Sequence, residues 1–329
     1  MKKLALLLLS VVLVPCAFAS DPALAKKEGK AIFYANITAV EPIMNAFAAA
    51  KGVNGVYVRI STTKYLATVM TEFEAGKLEA DLFQGPLPIL QALKEKGVLA
   101  AYRSPSAAGY PAWARQDDTI VQFGIEYVAL IYNKNLVKSG DVPTAYKDLV
   151  NPKWRDKIVM PDPSSHATTI SWLVGLKEAG IFANDKEWRD FLQGLAANKP
   201  MFVNSFSPTP APVESGEKLI AISMPKYIIT HPQAPLDWAR TGVLLGTPRG
   251  VAIAAKAPHP NAARLFMDYW LSRDAMKLLA DKVGEYVLAP GVFPPIDGID
   301  KVKVVPIREL SDKEIGSWGK EFHKIFFAR

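Results

Sequence analysis

Hydrophobic residues along this chain alternate between short apolar runs and longer stripes at helical spacing. Residues 31–34 form a run of strand length, and Ile43, Met44 and Phe47 follow on one face of a helix. Residues 56–60 repeat the strand, and a second helical stripe comes after them. Strands and helices that alternate at this pace predict an α/β protein whose parallel strands are covered by helices on both faces of each sheet.

Polar residues mark where the predicted helices begin. Thr38 and Glu41 have the spacing of a capping box, which predicts a helix start at residues 38–41. Residues 61–63 form a hydroxyl-rich turn after the second strand, and residues 84–86 close a third strand. Each of these turns therefore ends a strand and opens a helix.

A long apolar segment at residues 120–132 separates this series from a second one. The segment is longer than an ordinary strand, so we interpret it as a crossing between two lobes. A helix is predicted after Ser165. The strands of the second series are predicted at residues 158–160, 201–204 and 218–224, and the chain then returns through a strand at residues 251–255.

Chain length also favours two lobes. The chain has 329 residues, and about 310 of them follow a predicted secretory signal at its start. A chain of this length usually divides into more than one hydrophobic core. Hydrophobic residues make up 50% of the chain, which supplies apolar surface for two cores. We predict a first lobe formed by residues 20–120 and 251–298, and a second lobe formed by residues 121–250 and 299–329.

The first residues have the layout of a cleaved secretory signal. Lys2 and Lys3 precede an apolar run at residues 4–14, and Ala-Phe-Ala follows at residues 17–19. The apolar run is too short to span a bilayer comfortably. We therefore expect residues 1–19 to be removed and the protein to work in the periplasm.

Cysteine content and charge narrow the function classes. Cys16 is the only cysteine and lies in the predicted signal, so the rest of the chain has neither a disulfide nor a thiol nucleophile. Pro15 stands where lipid-attachment signals have a small residue. The net charge of +7 falls to +5 without Lys2 and Lys3, and the remaining charge is dispersed. Dispersed charge argues against a nucleic-acid partner, whereas a mild positive bias suits both solubility and an anionic ligand.

The most informative motif lies at residues 250–277. It contains a predicted buried strand, a Pro-His-Pro turn at residues 258–260 that opens a helix, and Ser272 as the cap of a second helix. This order, with its APHPNAA turn, resembles a segment of the bacterial extracellular solute-binding proteins of the ferric-iron-transport type. Those proteins are the periplasmic receptors of ABC importers.

Further stretches resemble the same family in the same order. They are Ala80-Asp81, Tyr132-Asn133, NPKWRDKI at residues 151–158, DPSS at residues 162–165 and VESGE at residues 213–217. Asp156 stands where the family usually has glycine. Together the stretches span nearly the whole chain after residue 20.

The resemblance implies a two-lobed type II periplasmic binding fold, in which each lobe is a doubly wound sheet flanked by helices. It implies a ligand held in the cleft between the lobes and a closure that the ligand favours. The implied partners are a small-molecule ligand and the membrane permease of an ABC importer. We expect a monomer that carries out no reaction.

Iron-binding members of this family use adjacent tyrosines in the second lobe, often with a histidine in the first. Here Pro225-Lys226-Tyr227 stands at the tyrosine pair and Thr38 at the histidine. A lysine ammonium donates hydrogen bonds and repels cations, so one phenol beside it makes a poor site for ferric ion. Ferric ion or a chelated metal remains an alternative ligand, and we predict no bound metal or cofactor.

Polar residues at predicted strand ends are candidates for the ligand site, because ligands bind beyond the carboxyl ends of parallel strands. Hydroxyl-rich turns that open helices offer backbone N–H groups to phosphate or carboxylate, although the same residues also serve as helix caps. The candidates are Asn36, Thr38, Ser61, Thr62, Thr63, Gln84, Ser164, Ser165, Thr168, Ser205 and Ser207. We predict a small anionic solute: a phosphonate, a phosphorylated compound or a carboxylate.

Five further residues are candidates for contact with this anion. Lys226 and Arg249 lie near predicted strand ends and would supply positive charge, although either also suits a solvated surface. His166 could donate a hydrogen bond, and Tyr34 and Tyr227 could wall the cleft, although aromatic residues beside strands also suit a core. No second histidine at metal-ligand spacing accompanies His166.

An exported hydrolase is the alternative function class. The sequence has no G-x-S-x-G elbow, no H-E-x-x-H motif and no phosphate-binding loop. His166 also lies too near Ser164 in sequence to indicate a catalytic triad by itself. A solute-binding receptor is therefore the favoured function.

Overall fold

The computed structural model describes residues 20–115, 117–308 and 310–327. The predicted signal at residues 1–19 lies outside these ranges. Strands cover β1 (Lys30–Ala35), β2 (Asn54–Arg59), β3 (Leu82–Pro86), β4 (Leu99–Ala100), β5 (Val121–Asn133), β6 (Ile158–Pro161), β7 (Met201–Val203), β8 (Ile220–Ser223), β9 (Leu236–Trp238), β10 (Val243–Ala254), β11 (Tyr286–Val287) and β12 (Lys303–Pro306).

The α-helices alternate with these strands along most of the chain. They are α1 (Pro22–Glu28), α2 (Glu41–Lys51), α3 (Thr62–Glu74), α4 (Leu87–Glu95), α5 (Ala167–Glu178), α6 (Asp185–Ala197), α7 (Pro210–Glu214), α8 (Lys226–Thr230), α9 (Pro260–Trp270), α10 (Arg273–Val283) and α11 (Asp312–Phe327). Among the described residues, none of these helices combines the length and the apolar character needed to cross a membrane.

The principal strands run in the order β2-β1-β3-β10-β5-β8-β6-β7. The triplets β2-β1-β3 and β8-β6-β7 are each parallel, and the two long strands β5 and β10 pair antiparallel between them. The first part of β5 pairs with β10, whereas residues 129–132 pair with β8. Each long strand therefore belongs to both halves of the molecule.

Both faces of each half are covered by hydrophobic clusters, as the apolar runs predict. In β1, Phe33 packs on one side of the sheet and Ile32 on the other. In β6, Ile158 and Val159 divide in the same way between two clusters of the other half. The sequence-based α/β class with helices on both faces of the sheets is the architecture observed.

The motif at residues 250–277 folds much as its pattern predicts. Helix α9 begins at Pro260, and Ser272 caps α10 by accepting a hydrogen bond from the backbone N–H of Ala275. The rings of Phe266 and Trp270 pack against Phe33 with centroids 5.0 and 4.9 Å apart. This helix therefore closes a core whose other wall is the first strand of the sheet.

Asp81 ties the same region together. Its buried carboxylate accepts hydrogen bonds from the backbone N–H groups of Ile32 and His259, both at 2.7 Å. The Nδ1 atom of His259 lies 2.9 Å from the same carboxylate. Burial raises the pKa of Asp81, although these hydrogen bonds oppose the rise. The carboxylate thus joins β1, the start of β3 and the turn before α9.

The predicted capping box at Thr38 and Glu41 is wrong. Helix α2 is preceded by Val40, and no side chain caps its first turn. Ala39 adopts a positive φ of 62°, which turns the chain between Thr38 and the helix. Because the turn moves the helix boundary past Thr38, the threonine hydroxyl is left for another role.

The predicted strand at residues 251–255 is only the end of a much longer one. Strand β10 begins at Val243, and its first part contains Gly246, Pro248 and Gly250. Glycine and proline normally interrupt strands, which is why the pattern concealed it. A Cβ at Gly246 would lie 2.4 Å from the carbonyl oxygen of Glu126, so the close approach of β10 to β5 requires glycine there.

We expect Gly246→Ala to lower the free energy of unfolding by about 2 kcal/mol or more. The added methyl group would clash with the backbone of Glu126 and Tyr127, which is held in the paired strand β5. The matched control is Gly316→Ala in α11, where an added Cβ meets nothing within 4 Å. That substitution should raise the stability by up to about 1 kcal/mol, since alanine favours a helix interior. Urea unfolding of both variants measures the difference; equal effects would contradict the proposed constraint.

Candidate functional site

A polar cavity of about 240 Å³ lies where strand ends from both halves converge. One wall comes from β3, the end of β2 and the segments that follow β1 and β2, and the other from segments that follow β6, β7 and β8. This is the carboxyl edge of both parallel triplets, where α/β proteins bind ligands. The lining residues are Asn36, Ile37, Thr38, Arg59, Thr62, Gln84, Glu126, His166, Thr168, Ser205, Phe206, Ser207, Met224, Lys226, Tyr227, Arg249 and Glu285.

Most of the sequence-predicted candidates lie together in this cavity. They are Asn36, Thr38, Thr62, Gln84, His166, Thr168, Ser205, Ser207, Lys226, Tyr227 and Arg249. Three others do not line it. Tyr34 is buried in the core and donates to Glu72 at 3.0 Å, Ser164 donates to Asp162 at 2.7 Å, and Ser165 is exposed.

The remaining two candidates belong to the start of α3. Ser61 immediately precedes the helix and is not among the cavity residues. Thr63 lies in the first turn of the helix, and only its backbone is described. Of this hydroxyl-rich turn, Thr62 lines the cavity.

Gln84 supplies an unused hydrogen-bond donor in the first wall. Its side chain is 1% exposed, and its Oε1 atom accepts from the backbone N–H of Ile37 at 3.1 Å. Among the described residues, its Nε2 atom has no partner. A buried amide N–H without a partner costs about 1–3 kcal/mol. A ligand acceptor in the cavity would remove that cost.

His166 supplies a second donor from the opposite wall. Its Nδ1 atom accepts from the backbone N–H of Thr169 at 3.3 Å and lies 2.8 Å from the hydroxyl oxygen of Thr169, so this nitrogen caps α5. Burial lowers the pKa of His166 to about 4. The ring is therefore neutral at pH 7 and carries its proton on Nε2, which a ligand acceptor can use.

Four charged side chains in the cavity form two ion pairs. Lys226 Nζ lies 3.2 Å from Glu285 Oε1, and Arg249 pairs with Glu126. Burial alone would lower the pKa of Lys226, but the carboxylate of Glu285 outweighs it and raises that pKa. The two cations chosen as anion partners from the sequence are therefore already balanced by glutamates.

Arg59 is the cavity cation that the sequence reasoning missed. It ends β2, its side chain is exposed, and it makes no ion pair within the described part of the chain. With the other two cations paired, Arg59 gives the cavity its net positive charge. Its only sequence signal was its position near the end of the strand predicted at residues 56–60.

Glu126 and Glu285 were also missed. Glu126 interrupts the apolar run of β5, and a charge within a buried strand usually has a partner or a function. Glu285 follows Gly284, where an added Cβ would lie 2.7 Å from the backbone of Lys226. Neither partner is near in sequence, so only the fold shows these pairs.

Tyr227 is the cavity's tyrosine. Burial raises the pKa of its phenol, and the nearby Lys226 ammonium only partly offsets this rise. The phenol is therefore protonated at neutral pH. Among the described residues, no group of three or more histidine, cysteine, aspartate or glutamate side chains has a metal-binding arrangement.

Helices α3 and α5 point their N-terminal ends at the cavity from opposite walls. Thr62 is the first residue of α3, and His166 and Thr168 flank the first residue of α5. The Asn36 side-chain amide donates to the Thr62 hydroxyl at 3.0 Å. Helix N-termini carry partial positive charge, so both ends favour an anion between them.

The chain is similar to several solved periplasmic proteins. One is the substrate-binding protein of an ABC transporter from Agrobacterium tumefaciens, with a TM-score of 0.74, 14% identity, and 90% of this chain and 94% of that chain covered. Iron-bound HitA from Pseudomonas aeruginosa gives a TM-score of 0.70 and 19% identity. The match covers 90% of this chain and 98% of HitA. AfuA from Actinobacillus pleuropneumoniae, with fructose-6-phosphate bound, gives a TM-score of 0.66 and 20% identity. The match covers 91% of this chain and 96% of AfuA.

These likenesses establish the fold as that of the two-lobed type II periplasmic binding proteins. The family model described as bacterial extracellular solute-binding protein matches residues 43–302. The match contains the strands and helices that line most of the cavity. The chain therefore belongs to the bacterial extracellular solute-binding protein family.

Proposed function

We propose that this receptor captures a small organic anion in the cavity between its two halves. The observation that carries the proposal is the set of unused donors that converge there. Within the described part of the chain Gln84 Nε2 has no partner and Arg59 is not balanced by a carboxylate, and His166 presents an N–H on Nε2. A phosphonate, phosphorylated compound or carboxylate has the acceptor oxygens that these donors need.

The proposed cycle is closure of two lobes around the anion, followed by delivery to a membrane permease. We propose a first lobe of residues 20–120 and 251–298 and a second lobe of residues 121–250 and 299–329. Strands β5 and β10 are the crossings, and the pairing of β10 with β5 shifts register between Arg249 and Gly250. A local irregularity of this kind lets a strand bend. The proposed function includes no reaction.

Relatives of this fold take different ligands. AfuA holds fructose-6-phosphate, which supports a phosphorylated compound, and HitA holds iron. The cavity chemistry favours the first class, because Tyr227 keeps its proton and Lys226 lies beside it. A cation would also be repelled by Arg59.

The ligands to compare are phosphate, methylphosphonate, glucose 6-phosphate and citrate. We expect Arg59→Gln to weaken binding of the best of them by about tenfold, because a charge-assisted contact contributes about 1.5 kcal/mol or more. Arg155→Gln, an exposed arginine outside the cavity, is the control and should bind as the parent does. Isothermal calorimetry measures both. Unchanged affinity in Arg59→Gln, or preference for neutral glucose, would contradict the anion assignment.

Gln84→Glu should abolish most anion binding. A glutamate oxygen can still accept from Ile37, so the local fold is kept, while the donor becomes a second acceptor that repels the ligand. We expect a loss of affinity of about 100-fold, since a favourable contact is replaced by a repulsive one. Thermal unfolding of the unliganded variant verifies that it folds. Full affinity in a folded Gln84→Glu protein would exclude this side chain from the site.

Ferric citrate should produce no visible tyrosinate-to-iron absorption band with the purified protein. The reason is the protonated state of Tyr227, which burial favours. Absorption spectra of the parent and of Tyr227→Phe provide the measurement. A stoichiometric band that disappears in Tyr227→Phe would assign the cavity to iron instead.

A further inference from the structure

A second cavity of about 240 Å³ adjoins the polar one. Its walls come from α3 and α4 on one side and from α5 and the start of α11 on the other, with β10 behind them. Thr62, Thr168 and Arg249 line both cavities. The two spaces are therefore neighbouring chambers of one cleft.

The second chamber is chemically unlike the first. Apolar side chains from both sides line it, among them Leu66, Ile89, Leu310 and Ile315. Leu66 is 37% exposed and forms part of this contiguous apolar lining, and a contiguous apolar patch is typical of a binding site. In the polar cavity, by contrast, charged and hydroxyl side chains predominate.

Thr247 adds an observation that points to a ligand. Its side chain is 1% exposed and lines the second chamber from β10. Its hydroxyl has no hydrogen-bond partner within the part of the chain that the structure describes. Buried hydroxyl groups are normally satisfied, so a group that enters the chamber would supply the missing partner.

We propose that the natural ligand has two parts: an anionic group held in the polar cavity, and an apolar substituent of a few carbon atoms that lies in the second chamber. The substituent packs between Leu66 and Ile89 on one side and Leu310 and Ile315 on the other. A hydroxyl on the substituent pairs with Thr247. The proposal rests on the proposed function, because it assigns the anionic end to the cavity described there.

The test compares short and long members of two anion series. Calorimetry with methylphosphonate and n-butylphosphonate, and with acetate and pentanoate, should show about tenfold tighter binding of the longer compound in each pair. Burial of three methylene groups supports an effect of at least this size. The better of the two series identifies the anionic group.

Leu66→Trp fills the second chamber from an exposed helix position, so it should fold normally. It should remove the advantage of the longer compound and leave methylphosphonate and acetate unchanged within about twofold. Leu24→Trp is the matched control, because Leu24 is 43% exposed on α1 and lies outside both cavities. This control should bind all four compounds as the parent does.

Thr247→Val keeps the side-chain shape and removes the hydroxyl. It should weaken 4-hydroxybutylphosphonate severalfold relative to n-butylphosphonate, whereas an equal effect on both would overturn the hydroxyl contact. If short and long anions bind equally and Leu66→Trp has no effect, the anion site stands and the second chamber is not a ligand site. If none of the four simple anions binds but glucose 6-phosphate or citrate does, the two-part ligand is excluded and the anion site stands; if no anion of either panel binds, the proposed function fails as well.

Discussion

The antiparallel crossing of β5 and β10 is the constraint on which the rest of the structure depends. The two strands pass close enough that Gly246 has no room for a Cβ against the backbone of Glu126. The same pair brings Arg249 beside Gly124 and Thr247 beside Glu126, which makes the Arg249 and Glu126 side chains diagonal neighbours. Both parallel triplets attach to this pair, so its register determines how the strand ends of the two halves face each other.

Charge balance in the cavity follows from this geometry. Removing a charged group from water is costly unless a partner compensates it. Lys226 and Arg249 are both largely removed from solvent, and each has a glutamate beside it. A cleft balanced in this way selects a ligand through a few directed donors rather than through a large excess of charge. In the proposed function Gln84 and His166 have that role, because each has its other polar atom fixed, by Ile37 and Thr169 respectively.

The sequence predicted most individual strands and helices well, but it did not predict which residues far apart in the chain pair with each other. Apolar runs identified β1, β5 and β6, because each is buried on both faces and its composition shows it. The first part of β10 was hidden, since its glycines and proline serve the close crossing instead of ending the strand. Strand ends likewise predicted many of the residues that line the polar cavity, but the pairing of Lys226 with Glu285 depends on a contact between segments 59 positions apart.

The packing of Phe33 against Phe266 and Trp270 has a consequence for the order of events during synthesis. Phe33 belongs to the first strand to emerge from the ribosome, and its side of the sheet lacks these aromatic partners until α9 follows, when most of the chain has been made. Contacts this distant in sequence also fold slowly. The core on this side of the first sheet is therefore completed only after the residues of α9 have been added, although the opposite side packs against residues made much earlier.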